Sequence, residues 1–246
     1  MRRLRGVLIA DPAVILLTMC FGTVSLFASL FDKKGTTLDR LAHAWAKTLL
    51  RATGIRVRVE GLGGIDPHGS YVFVANHLSY MDTPVALASI PVQFRFLAKS
   101  GLFQIPLLGN HLKSAGHIPV PLGDPRAAVK TMQLAAEKLR EKNSSLLIFP
   151  EGGRSPDGVL YPFKEGGAYI AIRAGVPIVP LVLVGTREVL PFGSAVVQSG
   201  WVTLRVLPPI DTAAMTLKDR GELTAHLHEL IARELDEAGV PAAAEV

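Results

Sequence analysis

A histidine and an aspartate five positions apart, His77 and Asp82, stand in the run Asn76-His77-Leu78-Ser79-Tyr80-Met81-Asp82. The imidazole supplies a proton acceptor near neutral pH, and the carboxylate supplies a group to orient it. Five positions along a regular helix turn about 140° past a full circle, so the two side chains cannot share one helical face. The spacing therefore predicts that His77 precedes a helix and that Asp82 reaches back from its first turn. An imidazole so held can take a proton from an alcohol while that alcohol attacks a thioester, the carboxylate fixing its tautomer. The same residues allow a plainer account. Ser79-x-x-Asp82 is also a capping-box spacing, in which Asp82 only satisfies backbone donors.

A second cluster, Phe149-Pro150-Glu151-Gly152-Gly153-Arg154-Ser155, supplies the cation that an anionic substrate needs. Gly152 and Gly153 let the backbone approach a ligand. Arg154 offers a planar fork matched to phosphate, and Ser155 a hydroxyl donor. Glu151 could hold Arg154 or accept from a substrate hydroxyl. A Gly-Gly turn carrying a surface Glu/Arg pair fits the same residues.

Both clusters need strands to present them. Tyr71–Ala75 and Leu146–Phe149 are short apolar runs of the kind that form buried central strands, and each ends at one of the clusters. Ile55–Glu60 alternates apolar and charged residues, as an edge strand with one wet face does. Further strands are expected at 178–184 and 201–207, and helices at 124–141, 167–174 and 217–238. Such alternation predicts an α/β sheet with crossovers, and its strand-to-helix junctions are where ligands bind.

The chain has 246 residues, 49% of them hydrophobic and 19% charged, with mean hydropathy +0.33. The charged share is below the ~25% of ordinary soluble domains. The excess apolar content sits near the N-terminus, where residues 13–31 run uncharged for 19 positions. As a helix this run reaches roughly 28 Å, close to a bilayer's hydrocarbon thickness. It is longer than the ~7–15 residues of a signal-peptide core and lacks a clean cleavage site after it. Arg2, Arg3 and Arg5 precede it and Lys33, Lys34 and Arg40 follow, so positive charge gives no orientation. A re-entrant or interfacial hairpin bent near Gly22 would keep both flanks on one side. Leu38, Leu41, Trp45, Leu49 and Ala52 then recur at helical spacing, with Arg40, Lys47 and Arg51 off that stripe. This suits a basic amphipathic helix at the headgroup boundary, or a helix packed on the following domain, ended by Gly54. The expected organisation is therefore membrane-associating helices over 1–54 and an α/β domain over 55–246, with a frayed tail at 241–246. Net charge is +5 with pI about 9.5. No nucleic-acid motif accompanies it, so a lipid surface is the expected partner and nucleic acid is not. The one cysteine, Cys20, excludes a disulfide framework within the chain.

The two clusters in this order resemble those of the 1-acylglycerol-3-phosphate (lysophosphatidate) acyltransferase family of bacterial glycerolipid enzymes. Asn76-His77-x-x-x-x-Asp82 matches the family's first block and the 149–155 cluster its third, with Gly153 where threonine is usual. Val176-Pro177-Ile178-Val179-Pro180 matches the fourth, which lines the acyl-chain region in such enzymes. Lys99 and Lys164 also stand in family-like surroundings. The likeness covers roughly residues 55 to 190, and the joint match is specific. It implies a mixed, largely parallel sheet flanked by helices, the glycerolipid acyltransferase fold, with His77 and Asp82 catalytic. Asn76, Lys99, Glu151, Gly152, Gly153, Arg154, Ser155 and Lys164 would bind substrate, and Val176, Pro177, Ile178 and Pro180 would face the acyl chain. It implies transfer from acyl-CoA or acyl carrier protein to 1-acyl-glycerol-3-phosphate, giving phosphatidic acid at the bacterial inner membrane, with the catalytic domain towards the cytoplasm. No resident cofactor and no metal are implied.

One block departs from the family. Gly116-His117-Ile118-Pro119-Val120-Pro121-Leu122 has Pro119 at the usual aromatic position and Leu122 at the usual arginine. Losing one bidentate phosphate contact costs on the order of 1.5–3 kcal/mol. Arg126, four residues further, is the candidate replacement. Another lysolipid acceptor, such as a lyso-ornithine lipid or other lysophospholipid, is therefore a second reading, and a non-catalytic lipid-binding protein on the same fold a third. A metal-dependent hydrolase built on His77, Asp82 and Glu151 is a fourth. His111 and His117 have no carboxylate at metal spacing and read as structural or surface residues, while His226 and His228 read as solvated surface. Gly61-Leu62-Gly63-Gly64 reads as a turn and not as a phosphate loop.

Overall fold

The computed structural model describes residues 2–32, 35–121, 123–142 and 144–240. Lys33, Lys34, the substituted Leu122 and the tail 241–246 lie outside the described residues.

The N-terminal segment folds as α1 (Arg2–Arg5), a π-helical stretch (Gly6–Ala10), α2 (Asp11–Ala28) and α3 (Thr36–Thr53). The apolar helical run Gly6–Ala28 is long enough to cross a membrane, and its outer face is exposed at Ile15, Leu16, Met19 and Phe27. It stays helical through Gly22 and makes no hairpin there. Gly22 faces the Leu107 side chain, which a Cβ there would meet at 3.4 Å, an ordinary van der Waals distance. Polar bonds fix the helix at three points. Asp11 accepts from the Val197 N–H (2.9 Å), the Trp45 indole donates to Thr18 (3.2 Å), and Ser25 meets His111 Nδ1 (2.7 Å). α3 buries Leu38, Ala46, Leu49 and Leu50 against the body, and Gly54 ends it in the left-handed region. It is a packed helix that keeps its basic residues outward.

The body follows as β1 (Ile55–Glu60), β2 (Val72–Ala75), α4 (Asp82–Ser89), β3 (Phe94–Lys99), α5 (Leu108–Ser114), β4 (Ile118–Val120) and α6 (Pro125–Lys142). Then come β5 (Ser145–Ile148), α7 (Gly166–Ala174), β6 (Ile178–Val184), α8 (Thr186–Val189), β7 (Gly200–Val206) and α9 (Arg220–Glu237). The described strands form one seven-stranded sheet in the order β1-β7-β6-β2-β5-β3-β4. All neighbouring pairs are parallel except β6 with β7.

Side-chain character explains this order. Every residue of β2 and β5 is buried, which only a central strand covered on both faces allows. β1 places Arg56 in water and takes the edge. Alternation along β2 and β5 divides the core. Phe73, Ala75 and Leu147 pack with Leu49 of α3 and Val85 of α4 on one face. Val72, Val74, Leu146 and Ile148 pack with residues of α6, α7 and α9 on the other. Parallel pairing then brings the carboxyl ends of β2, β5, β3, β4 and β6 to one edge. β7 and β1 run the other way, so their starts share that edge.

Candidate active site

β2 and β5 each deliver a loop to this edge, and the loops are bonded to each other through the backbone of His77. The His77 N–H donates to Glu151 Oε1 (2.6 Å), and the Ser155 N–H donates to the His77 carbonyl (2.9 Å). The His77 ring stacks on Phe149, with centroids 4.0 Å apart and planes within 14°.

Asp82 is the first residue of α4 and fully buried. Its Oδ2 lies 2.7 Å from His77 Nδ1 and accepts from the N–H groups of Leu78 and Ser79, both at 2.8 Å. One oxygen thus serves both functions that the spacing allowed, the cap and the orientation of the histidine. Because Oδ2 of an ionised carboxylate only accepts, Nδ1 carries the proton and Nε2 presents its lone pair. The His77 side chain is 18% exposed, so that lone pair is within reach of a ligand. Ser79 holds the loop in place by donating to the Leu190 carbonyl (2.8 Å).

Arg154 does not pair with Glu151. Its guanidinium carbon lies 3.5 Å from the centre of the Tyr80 ring and 4.7 Å from that of Phe192. Glu151 instead joins two loops, accepting from the His77 N–H through Oε1 and the Tyr161 N–H through Oε2 (3.1 Å). Burial pushes its carboxyl up to about 7, against the pull of those two N–H groups, with Asp82 and Asp157 adding to the rise. Ser155 is equally committed. Its hydroxyl donates to Asp157 (2.8 Å) and accepts from the Gly158 N–H (2.9 Å), so it shapes the turn and does not point at a ligand.

Gly152 has φ +78°, and a Cβ there would overlap the Lys164 ammonium. Lys164, whose N–H donates to the Pro150 carbonyl (3.0 Å), therefore joins Arg154 on the same turn. Gly153 borders open space. Lys99 is exposed at the end of β3, two strands from β2, roughly 10 Å along the edge.

Two groups of expected residues lie elsewhere. Asn76 is buried and exchanges two hydrogen bonds with the Leu183 backbone (2.8 and 2.9 Å), so it ties β2 to β6. The block Val176, Pro177, Ile178 and Pro180 opens β6 at the opposite edge. Ile178 pairs with Val72 and Pro180 with Val74, and Ile178 packs on the α6/α7/α9 face, away from the face that carries Phe149. The structure does not bring this block to His77. The second block places Arg126 exposed in the first turn of α6, while His117 is a core residue that accepts the Phe96 N–H (2.8 Å). Burial first, then His111 and Arg95, push His117 down to about 3. His228 is not solvated as expected; it packs edge-on to Phe163 with centroids 4.9 Å apart.

Residues 56–184, just over half the chain, match the family described as Acyltransferase. The chloroplastic 1-acyl-sn-glycerol-3-phosphate acyltransferase BAT2 of Brassica napus is 34% identical over 214 residues, covering 85% of this chain. The chain spans 61% of that relative's length. The 1-acyl-sn-glycerol-3-phosphate acyltransferase of Salmonella typhimurium is 27% identical over 75% of this chain and 74% of its own. The crystal structure of the 1-acyl-sn-glycerophosphate (LPA) acyltransferase from Thermotoga maritima superposes with TM-score 0.81 at 26% identity, over 99% of this chain and all of that one.

Proposed function

Because the chain belongs to the acyltransferase family, we propose that it moves a fatty acyl group from a thioester to the free hydroxyl of 1-acyl-glycerol-3-phosphate, giving phosphatidic acid. The observation that carries the reading is the 2.7 Å contact between His77 Nδ1 and Asp82, which leaves Nε2 as the base. The relatives' names supply the acceptor, since those enzymes are called 1-acyl-sn-glycerol-3-phosphate acyltransferases. Nε2 takes the hydroxyl proton as the acceptor oxygen attacks the thioester carbonyl. The tetrahedral intermediate then collapses, and the thiolate leaves with the proton from the imidazolium. No acyl-enzyme forms. Arg154 and Lys164 take the acceptor phosphate, and backbone donors at the loop ends are the candidates for the oxyanion. Acyl-CoA or acyl carrier protein is the donor, and the exposed apolar run Gly6–Ala28 holds the enzyme at the bacterial inner membrane, its catalytic edge towards the cytoplasm.

The test is thiol release by purified protein with either donor, with and without lysophosphatidate. Acceptor-dependent release with formation of phosphatidic acid is expected. Lipid binding without release from either donor would instead make the chain a lipid-binding protein. Leucine at position 122 favours a second reading in which the acceptor is another lysolipid. A panel including lyso-ornithine lipid and uncharged lysolipids separates the two by relative kcat/KM.

A further inference from the structure

The same sheet edge carries a second cationic feature, at its far end. A cleft of about 510 Å³ opens where α1, the end of α3 and the starts of β1 and β7 meet, lined by Arg5, Arg51, Arg56, Gly54, Ser199 and Trp201. Three guanidinium groups from three elements converge there. Among the described residues none of the three has a carboxylate partner. The carboxyl end of α3 accounts for part of this charge. Arg5 lies against Gly54, the residue that caps that helix, and Arg51 is in its last turn. A helix end carries only about half a negative charge, so about two and a half positive charges remain unbalanced. Arg56 lies 5.3 Å from the centre of the Trp201 ring, and that ring is 61% exposed.

The apolar surroundings say which anion fits. Leu4, Val7, Leu8 and Ile9, next to Arg5 in sequence, are all exposed, and they continue into the exposed apolar face of α2. A phosphate with hydrocarbon attached meets arginine forks and an indole at one end and an apolar helix at the other. β1 stands three strands from β2, roughly 14 Å along the edge, so a phosphate here lies too far from His77 for its own glycerol hydroxyl to react. We propose that the Arg5/Arg51/Arg56 cleft is a binding site for the phosphate of an anionic membrane phospholipid, distinct from the site of the reacting acceptor. This site goes beyond the acyl-transfer reading and stands without it.

The full chain is tested by flotation with vesicles of pure phosphatidylcholine and of phosphatidylcholine containing phosphatidylglycerol, with His77→Ala as a parallel control. A preference for the anionic vesicles is expected, unchanged in His77→Ala. Replacing all three arginines by glutamine should reduce that preference about a hundredfold, since each basic residue at an anionic surface contributes about fivefold. Lysine at all three positions keeps the charge and removes the fork. An intermediate loss supports a discrete site, and full retention overturns it in favour of diffuse attraction. Trp201 emission in a Trp45→Phe background gives a readout on otherwise wild-type protein. Dispersed dihexanoyl phosphatidylglycerol should shift it, and inorganic phosphate at the same concentration should not. No shift, or equal shifts, would overturn the assignment to a lipid.

Discussion

The guanidinium of Arg154 is stacked 3.5 Å from the ring of Tyr80, a residue that itself sits between His77 and Asp82. The loop that carries the base thus also positions the cation. An arginine held between two aromatic faces keeps its five donors in one orientation without a carboxylate to compete with an incoming phosphate. That is the difference between this arrangement and the Glu/Arg pair the sequence allowed.

Removing the Tyr80 ring should therefore weaken acceptor binding more than turnover. Tyr80→Leu is expected to raise KM for lysophosphatidate about two- to fivefold, matching a partly exposed cation–π contact, with kcat nearly unchanged. Tyr80→Phe should restore KM. Steady-state kinetics on the three proteins decide it, and a fall confined to kcat would show that the ring has another role.

His77→Ala is expected to abolish transfer while the far-ultraviolet circular dichroism and melting curve stay close to wild type, because the ring is at the surface end of β2. Asp82→Asn should lower kcat by about 10³–10⁴-fold, since an amide no longer fixes the tautomer that leaves Nε2 free. It should also lower stability, as Oδ2 serves the Leu78 and Ser79 N–H groups. Retained turnover in His77→Ala would remove the mechanism.

Glu151 predicts a pH dependence of stability. Its folded value of about 7 lies above the ordinary 4.5, so the folded chain binds the proton more tightly than the unfolded one. The contribution is present in full below about pH 4.5 and is lost as pH rises through about 7, on the order of 3 kcal/mol at most. Glu151→Gln should remove that slope. It should also cost about 1–3 kcal/mol, because an amide can accept only one of the two backbone N–H groups. Urea midpoints at pH 5 and pH 8 for both proteins measure the difference; equal slopes would show that the carboxylate is not the titrating group.

The central strands and their attached clusters were legible because buried parallel strands read as apolar runs, and the chemistry follows directly at their ends. His77, Asp82 and Arg154 were found this way. β3 and β4 were missed. In β3 the alternation Phe94-Arg95-Phe96 is broken at once by Leu97-Ala98, so the strand reads neither as alternating nor as a continuous apolar run, and three residues at 118–120 give no period. Tyr80 and Phe149 stood inside the quoted motifs, yet nothing in one dimension says that a ring will stack on a particular cation or imidazole. Phe192 comes from a separate loop, beyond α8, and gave no signal. Asn76, Ser155 and Glu151 were expected to bind substrate; the Leu183 backbone claims Asn76, the His77 and Tyr161 N–H groups claim Glu151, and the neighbouring Asp157 and Gly158 claim the Ser155 hydroxyl. An unbroken helix and a hairpin bent near Gly22 both fitted the apolar run, because the groups it packs against, Trp45 and Leu107, come near only in the fold.

Gly152 and Gly153 look alike in sequence and differ in their surroundings, which yields a paired test. Gly153 has open space where a side chain would go and an ordinary backbone angle. Gly153→Ala should therefore stabilise the protein by about 0.4–1 kcal/mol by restricting the unfolded chain, with activity unchanged. Threonine, which the resembled family usually carries at that position, should also be accepted. Gly152 has φ +78°, where an L side chain is strained by about 1–2 kcal/mol, and a new methyl group would displace the Lys164 ammonium. Gly152→Ala should accordingly lower the melting temperature and raise KM for the phosphorylated acceptor, leaving KM for an uncharged lysolipid unaffected. Lys164→Ala in the Gly152→Ala background should then add little further to KM, because the ammonium has already lost its place. A full additional increase would show that Lys164 holds the phosphate from a position that Gly152 does not control.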